Sequence, residues 1–192
     1  IPGRIVLKQA SVMGEQSEST LRTFRLDADV IEGLEQEASK QGATVNGIAC
    51  RVLKRYVRIR TRLEPFGMIS LTKNDLVELL GGMDEDRVSK VASRSGSSIA
   101  KEIIVQLYGE PNISNFIQFL DKIICGYEGW ASYSGEARGE LLEVKLGHTL
   151  GQRWSLFLKN YLEAALGSLA HCKANFRYIS AYSLVFDLRV TG

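Results

Sequence analysis

The stretch TLRTFRLDADVIEGLEQEASKQGATVNGIACRVLKRYVRIR, Thr20 to Arg60, decides how this chain is read. It opens on TLRTFRL, which has the character of a short strand. Side chains alternate across a strand, so Phe24 and Leu26 share one side while Leu21, Thr23 and Arg25 share the other. Asp27 is placed to cap a helix, and Asp29 suits its first turn. Val30, Ile31, Leu34 and Ala38 then recur at helical spacing, and Gly42 stops the helix. Thr44 caps a second helix whose apolar stripe is Val45, Ile48, Ala49, Val52, Leu53 and Tyr56. Arg51, Lys54, Arg55 and Arg58 fall on its outer face. Asn46-Gly47 is also a favoured hairpin dipeptide, which leaves a strand-turn-strand reading open. The stripe running on to Tyr56 favours the helix. Val57 to Leu63 alternates like a strand, so the pattern does not fix where the second helix ends.

One strand and two short helices do not make a stable unit. A lone strand leaves backbone N–H and C=O groups unpaired, and two short helices have little to pack against. A second copy of the chain resolves both. The two strands pair antiparallel across a two-fold axis, and four helices share one core.

On TFRL, DADVIEGLEQEASKQG and TVNGIACRVLKRYV, the segment Thr20 to Arg58 resembles the ribbon-helix-helix DNA-binding family of the Arc and MetJ repressor type. The resemblance covers about 40 of 192 residues and rests on pattern and length. It implies an intertwined homodimer whose two-stranded ribbon enters the major groove of double-stranded DNA. With Phe24 and Leu26 inward, Leu21, Thr23 and Arg25 face the bases. Arg25 can bond two acceptors on guanine, Thr23 suits several base edges, and Leu21 can touch a thymine methyl. Arg22 sits at the strand end, where a phosphate contact is expected. The start of the second helix, Thr44, Val45 and Asn46, is where the family clamps a phosphate, and free N–H groups at a positive dipole end suit that role. Lys54, Arg55 and Arg58 are placed for flanking phosphates; an ordinary solvated helix face is the competing reading. Apolar residues are common in the family where Arg22 stands, and polar ones where Leu21 stands. A one-residue slip in register moves the reading set to Arg22 and its neighbours.

Charge supports a polyanion partner at this end. Residues 1–62 hold 11 Lys and Arg against 7 Asp and Glu, a net of +4; residues 63–192 hold 13 against 15, a net of −2, and the two sum to the chain's +2. Residues 1–19 are expected to be a flexible arm, 20–60 the ribbon-helix-helix domain, and 66–192 a second domain.

In that second domain, Gly67 to Leu71 (GMISL) reads as a strand, and Thr72 with Asp75 has capping-box-like spacing. Asp84-Glu85-Asp86 suits a helix start; Val88, Val91 and Ala92 follow at helical spacing. SRSGSS interrupts the stripe, which Ile99, Ile103, Ile104 and Leu107 resume. Phe116 to Ile124 is a further apolar helix. WASYS and ELLEVKL, flanking GEARG, read as a hairpin with a longer loop. Trp154 to Leu169 is a long amphipathic helix, and Phe176 to Leu188 alternates as one long strand. The expectation is an α+β fold: the N-terminal dimerisation and DNA-binding domain, then an α+β domain with a small, mainly antiparallel sheet.

The sequence has no P-loop, HExxH or GxSxG. Ser98-Ile99-Ala100-Lys101 matches SxxK without its usual companions, and a helix start accounts for it. The Gly/Ser stretch at 95–98 reads as a break or cap. Cys125, His148, His171 and Cys172 are the candidate metal ligands, but no short ligand spacing joins them, and neither a metal nor another cofactor is expected. Trp130, Tyr133, Trp154, Phe157, Tyr161, Phe176, Tyr178 and Tyr182 read as core more readily than as a ligand pocket. The longest run without a charged residue is about ten, too short to span a membrane. IPGRIVLKQASVMG lacks the apolar core of a signal peptide, and three scattered cysteines make no disulfide framework, so a cytoplasmic setting is expected.

The expected function is a sequence-specific, DNA-binding transcriptional regulator and not an enzyme. Its second domain is expected to oligomerise, to a tetramer for example, or to sense a small-molecule effector. An antitoxin-like protein-binding module with a DNA-binding front is the second reading, and a DNA-tethered enzyme the third.

Overall fold

The computed structural model describes residues 20–170 and 173–189. The arm expected over 1–19, and the candidate ligands His171 and Cys172, lie outside the described residues. The chain divides into two compact units, with the boundary after Thr61.

In the first unit, Thr20 to Asp27 belongs to no helix or strand. The strand expected there is absent from a single chain, because no neighbouring strand among the described residues bonds its backbone. Helix α1 (Ala28–Gln41) follows, with Asp27 as its N-cap. The Asp27 side chain makes no capping bond; its carbonyl instead accepts from the amides of Val30 and Ile31. Gly42 ends α1 in the left-handed conformation that glycine adopts without strain (φ 59°). Helix α2 (Val45–Arg55) begins at Thr44, whose hydroxyl accepts from the Gly47 amide at 3.0 Å. Asn46-Gly47 therefore lies in the first turn of a helix and not in a hairpin. A π-helical turn, Tyr56–Arg60, continues α2, so the alternation after Val57 is helical.

The second unit is α+β. The short turn α3 (Thr61–Leu63) begins on the last residue of the first unit; the helical part of the second then comprises α4 (Lys73–Gly81), α5 (Glu85–Ser95), α6 (Lys101–Tyr108) and α7 (Ile113–Gln118), which a π-helical turn, Phe119–Cys125, continues. Its remaining elements are strands β1 (Ser132–Arg138) and β2 (Leu141–Gly147), helix α8 (Gln152–Ala170), and strands β3 (Asn175–Ile179) and β4 (Ser183–Arg189). Thr72 and Asp84 cap α4 and α5 through their side chains, accepting from the amides of Asp75 and Arg87. The strands form one antiparallel sheet in the order β1-β2-β4-β3. Leu142, Val144 and Leu146 of β2, with Leu184, Phe186 and Leu188 of β4, turn one face inward and are buried. The core also holds Trp154, Leu158, Tyr161, Leu162, Ala165 and Leu166 of α8, and Val88, Ala92, Ile104, Phe116, Phe119 and Leu120 from the helical part before the sheet. Among the described residues, no helix is long and apolar enough to cross a membrane.

In the second unit, four expectations need correction. GMISL is no strand: among the described residues, no strand lies beside Met68 to Leu71 to bond their backbone. SRSGSS does not interrupt the helix. A π-helical turn, Gly96–Ala100, carries α5 into α6, and Ser97 and Ser98 donate their hydroxyls back to the Arg94 carbonyl. The hairpin turn is Gly139-Glu140, so most of GEARG belongs to β1. The final strand is two strands. Ser180 closes a tight turn by donating its amide to the Ser183 carbonyl at 2.8 Å and accepting the Ser183 amide on its hydroxyl at 3.1 Å. Side-chain hydroxyls make that turn without glycine or proline, so the alternation passes through it unbroken.

Candidate nucleic-acid interface

The candidate contact residues of the first unit fall in three locations. Leu21, Arg22, Thr23 and Arg25 are exposed in the segment before α1. Leu21 is 89% exposed, against 66% for Phe24 and 48% for Leu26. Thr44, Val45 and Asn46 form the N-terminus of α2. The Thr44 hydroxyl takes the Gly47 amide, so the amides of Val45 and Asn46 are the donors left without a helical acceptor. Lys54 and Arg55 lie in the last turn of α2, and Arg58 in the π-turn beyond. Helix α2 is roughly 15 Å long at 1.5 Å per residue, so its anion-attracting start and its basic end are separate positions. A single protomer does not bring all ten candidate residues into one patch.

Arg51 has a bond that its sequence position did not foretell. Its guanidinium donates to Gln41 Oε1 at 2.7 Å, tying the outer face of α2 to the end of α1. A helical wheel shows only that Arg51 faces outward; the packing of α1 on α2 supplies the partner.

The apolar stripes of this unit are mostly uncovered. Ala38 and Ile48 are buried, where α1 meets α2. Val30, Ile31, Val52, Leu53 and Tyr56 stay exposed, together with Phe24 and Leu26.

Of the candidate metal-binding groups, His148 and Cys125 lie among the described residues. The Leu150 amide donates to His148 Nδ1 at 3.2 Å, so the ring proton sits on Nε2, which donates to Ser155 Oγ at 2.9 Å. The Ser155 hydroxyl in turn donates to the Ser180 carbonyl at 2.6 Å. The histidine thus does not accept the serine's proton, as a nucleophile-activating base must. Burial lowers the His148 pKa and keeps the ring neutral. Burial, with Asp121 nearby, pushes the Cys125 thiol up to about 12, so it is not a thiolate at neutral pH. Among the described residues, no three His, Cys, Asp or Glu side chains gather as a metal site. Ser98 of the SxxK match lies inside a continuous helix and not at a helix start.

The aromatic residues divide. Trp130, Trp154, Phe157 and Tyr161 form one cluster, with Trp154 and Phe157 stacked at 4.9 Å. Phe176 packs on Phe186, while Tyr178 and Tyr182 are exposed. On the outer face of the sheet, buried Glu143 meets Lys145 at 3.0 Å, Arg138 at 3.4 Å and also Arg177, which reaches on to Asp187 at 3.0 Å.

No family model matches this chain, and no curated protein and no solved structure matches it.

Proposed function

We propose that this chain is a DNA-binding transcriptional regulator, in which residues 20–60 of two copies interlock as a ribbon-helix-helix. The observation that carries this reading is the uncovered apolar side of the first unit. Phe24, Leu26, Val52, Leu53 and Tyr56 are each about half exposed or more, and among the described residues of the unit only Ala38 and Ile48 are buried. Covering such side chains contributes on the order of 1 kcal/mol each, and doubled by symmetry the sum competes with the cost of association. A second copy supplies both that cover and a mate for the unpaired segment Thr20 to Leu26. The polar side of the paired ribbon then carries Thr23 and Arg25 from each protomer. Two α2 N-termini flank it as phosphate sites. Specificity comes from the ribbon, and Lys54, Arg55 and Arg58 add salt-dependent affinity. The second unit serves further oligomerisation or effector sensing. The free thiols of Cys50 and Cys125 suit a cytoplasmic setting.

Sedimentation of the full chain combined with selection from random duplexes tests this. The expected result is a dimer that enriches a spaced, two-fold-related site. Its log affinity should fall linearly with log salt, by about 0.9 per phosphate neutralised. A folded monomer, or a protein that enriches no duplex at low salt, overturns the reading.

A further inference from the structure

Within the second unit, a cavity of about 450 Å3 opens between the first residue of α4, the loop before β1 and the loop after β2. That volume lies in the roughly 300–1,000 Å3 range of small-molecule sites. One wall is Trp130. Three rings hold its indole edge-on: Trp154 at 5.3 Å, Tyr161 at 5.3 Å and Phe157 at 5.9 Å. Its carbonyl is fixed as well, accepting from Trp154 Nε1 at 3.1 Å. That side of the cavity is therefore set before any ligand arrives, which removes part of the ordering cost of binding. Leu150 continues it.

The polar groups around the cavity sort into used and unused. Both nitrogens of His148 are bonded, to the Leu150 amide and to Ser155, and the Ser132 hydroxyl donates to the Gly147 carbonyl. Two side chains remain without a partner among the described residues, the Lys73 ammonium and the Thr149 hydroxyl. Lys73 is the one formally charged residue of the lining. The nearby Asp75 carboxylate is engaged, accepting the Thr72 hydroxyl at 2.6 Å. One cation and one hydroxyl beside an aromatic wall match a planar ring bearing a single negative charge. A phosphate dianion calls for more donors than these two.

We propose that this cavity binds a small aromatic carboxylate, with its ring against Trp130 and its carboxylate on Lys73 and Thr149. Use of the site as an effector site rests on the DNA-binding reading; its occupancy does not.

Titration calorimetry on the full chain, without DNA, tests the proposal with benzoate and indole-3-carboxylate as probes and benzamide and benzylamine as controls. The expected result is binding of the carboxylates, with benzamide weaker by roughly tenfold, as loss of a charge-assisted hydrogen bond implies. Benzylamine should not bind. Lys73→Gln, on an exposed side chain, should keep the circular dichroism spectrum and lose about the same factor for benzoate. Equal affinity for benzamide, an unchanged benzoate affinity in Lys73→Gln, or no heat from either carboxylate at millimolar concentration overturns it. Carboxylate binding by a protein that enriches no duplex would support this site and sink the regulator reading alone.

Discussion

Gly96 lies against the backbone of Tyr161: a β-carbon on Gly96 would stand 2.2 Å from the Tyr161 carbonyl oxygen. Ala92 and Ala100, four residues to either side, are fully buried in the same run of helix. The three small residues let α5 and its π-turn approach α8 closely, and the contact point is main chain, which cannot swing aside. Gly96→Ala should therefore destabilise the second unit by about 1–3 kcal/mol, the usual cost of overpacking, despite alanine's higher helix propensity. Gly167 is the control. It also lies in α8, but nothing stands within 4 Å of its would-be β-carbon. Gly167→Ala should stabilise by up to about 1 kcal/mol. Urea denaturation of both variants reads the difference, and equal shifts would contradict the close approach.

Glu143 is a buried carboxylate on the outer face of the sheet, with Lys145, Arg138 and Arg177 around it. Removing its charge leaves the three cations with less to oppose them. They are themselves about half exposed, so water compensates part of the loss. Glu143→Gln should cost about 1–3 kcal/mol. Glu136→Gln, at an exposed ion pair with Arg138, should cost less than about 0.5 kcal/mol. The two variants are compared by denaturant midpoint, and similar losses would show that burial adds nothing to the Glu143 contacts.

Burial of His148 sets the sign of a pH dependence expected for the second unit. Burial lowers its folded-state pKa below the ordinary value of 6.5, so between the two values the unfolded chain binds the extra proton. Stability is fully present above about pH 6.5 and is lost as pH falls towards the folded pKa. His148→Gln should flatten that slope, as measured by urea midpoints at about pH 5.5 and pH 7.5. An unchanged slope would place the titration elsewhere.

Much of this fold is legible in the sequence wherever the signal is local. Thr44, Thr72 and Asp84 announce helix starts because their own oxygens accept first-turn amides. The stripe from Trp154 to Leu169 is long enough to settle α8 by period alone. Misreadings fall where a residue's meaning depends on something distant. Gly96 with its serines looks like a helix break until the Tyr161 backbone is beside it. Ile69 and Leu71 look like strand residues, but no described strand comes alongside. The cavity at Trp130 is invisible in sequence because Lys73, Trp130 and Thr149 come from separate segments. The apolar stripe of α2 is legible, but its cover is not, since Val52, Leu53 and Tyr56 stay exposed in the single chain.

The register of the proposed ribbon separates Arg25 from Arg22. With Phe24 and Leu26 packed against the partner's helices, Arg25 points into the groove and Arg22, near the strand end, meets phosphate. Arg25→Ala should then cost about 1–3 kcal/mol on the preferred duplex and relax base choice at one position in each half-site. Arg22→Ala should weaken all duplexes alike and reduce the salt slope by about one for each phosphate no longer neutralised. A one-residue slip exchanges the two outcomes, because every side chain then changes face. Affinities of both variants for the preferred duplex and its single-base changes, at two salt concentrations, decide the register. If both variants weaken every duplex equally, neither arginine reads a base, and recognition by this ribbon fails as an account of specificity.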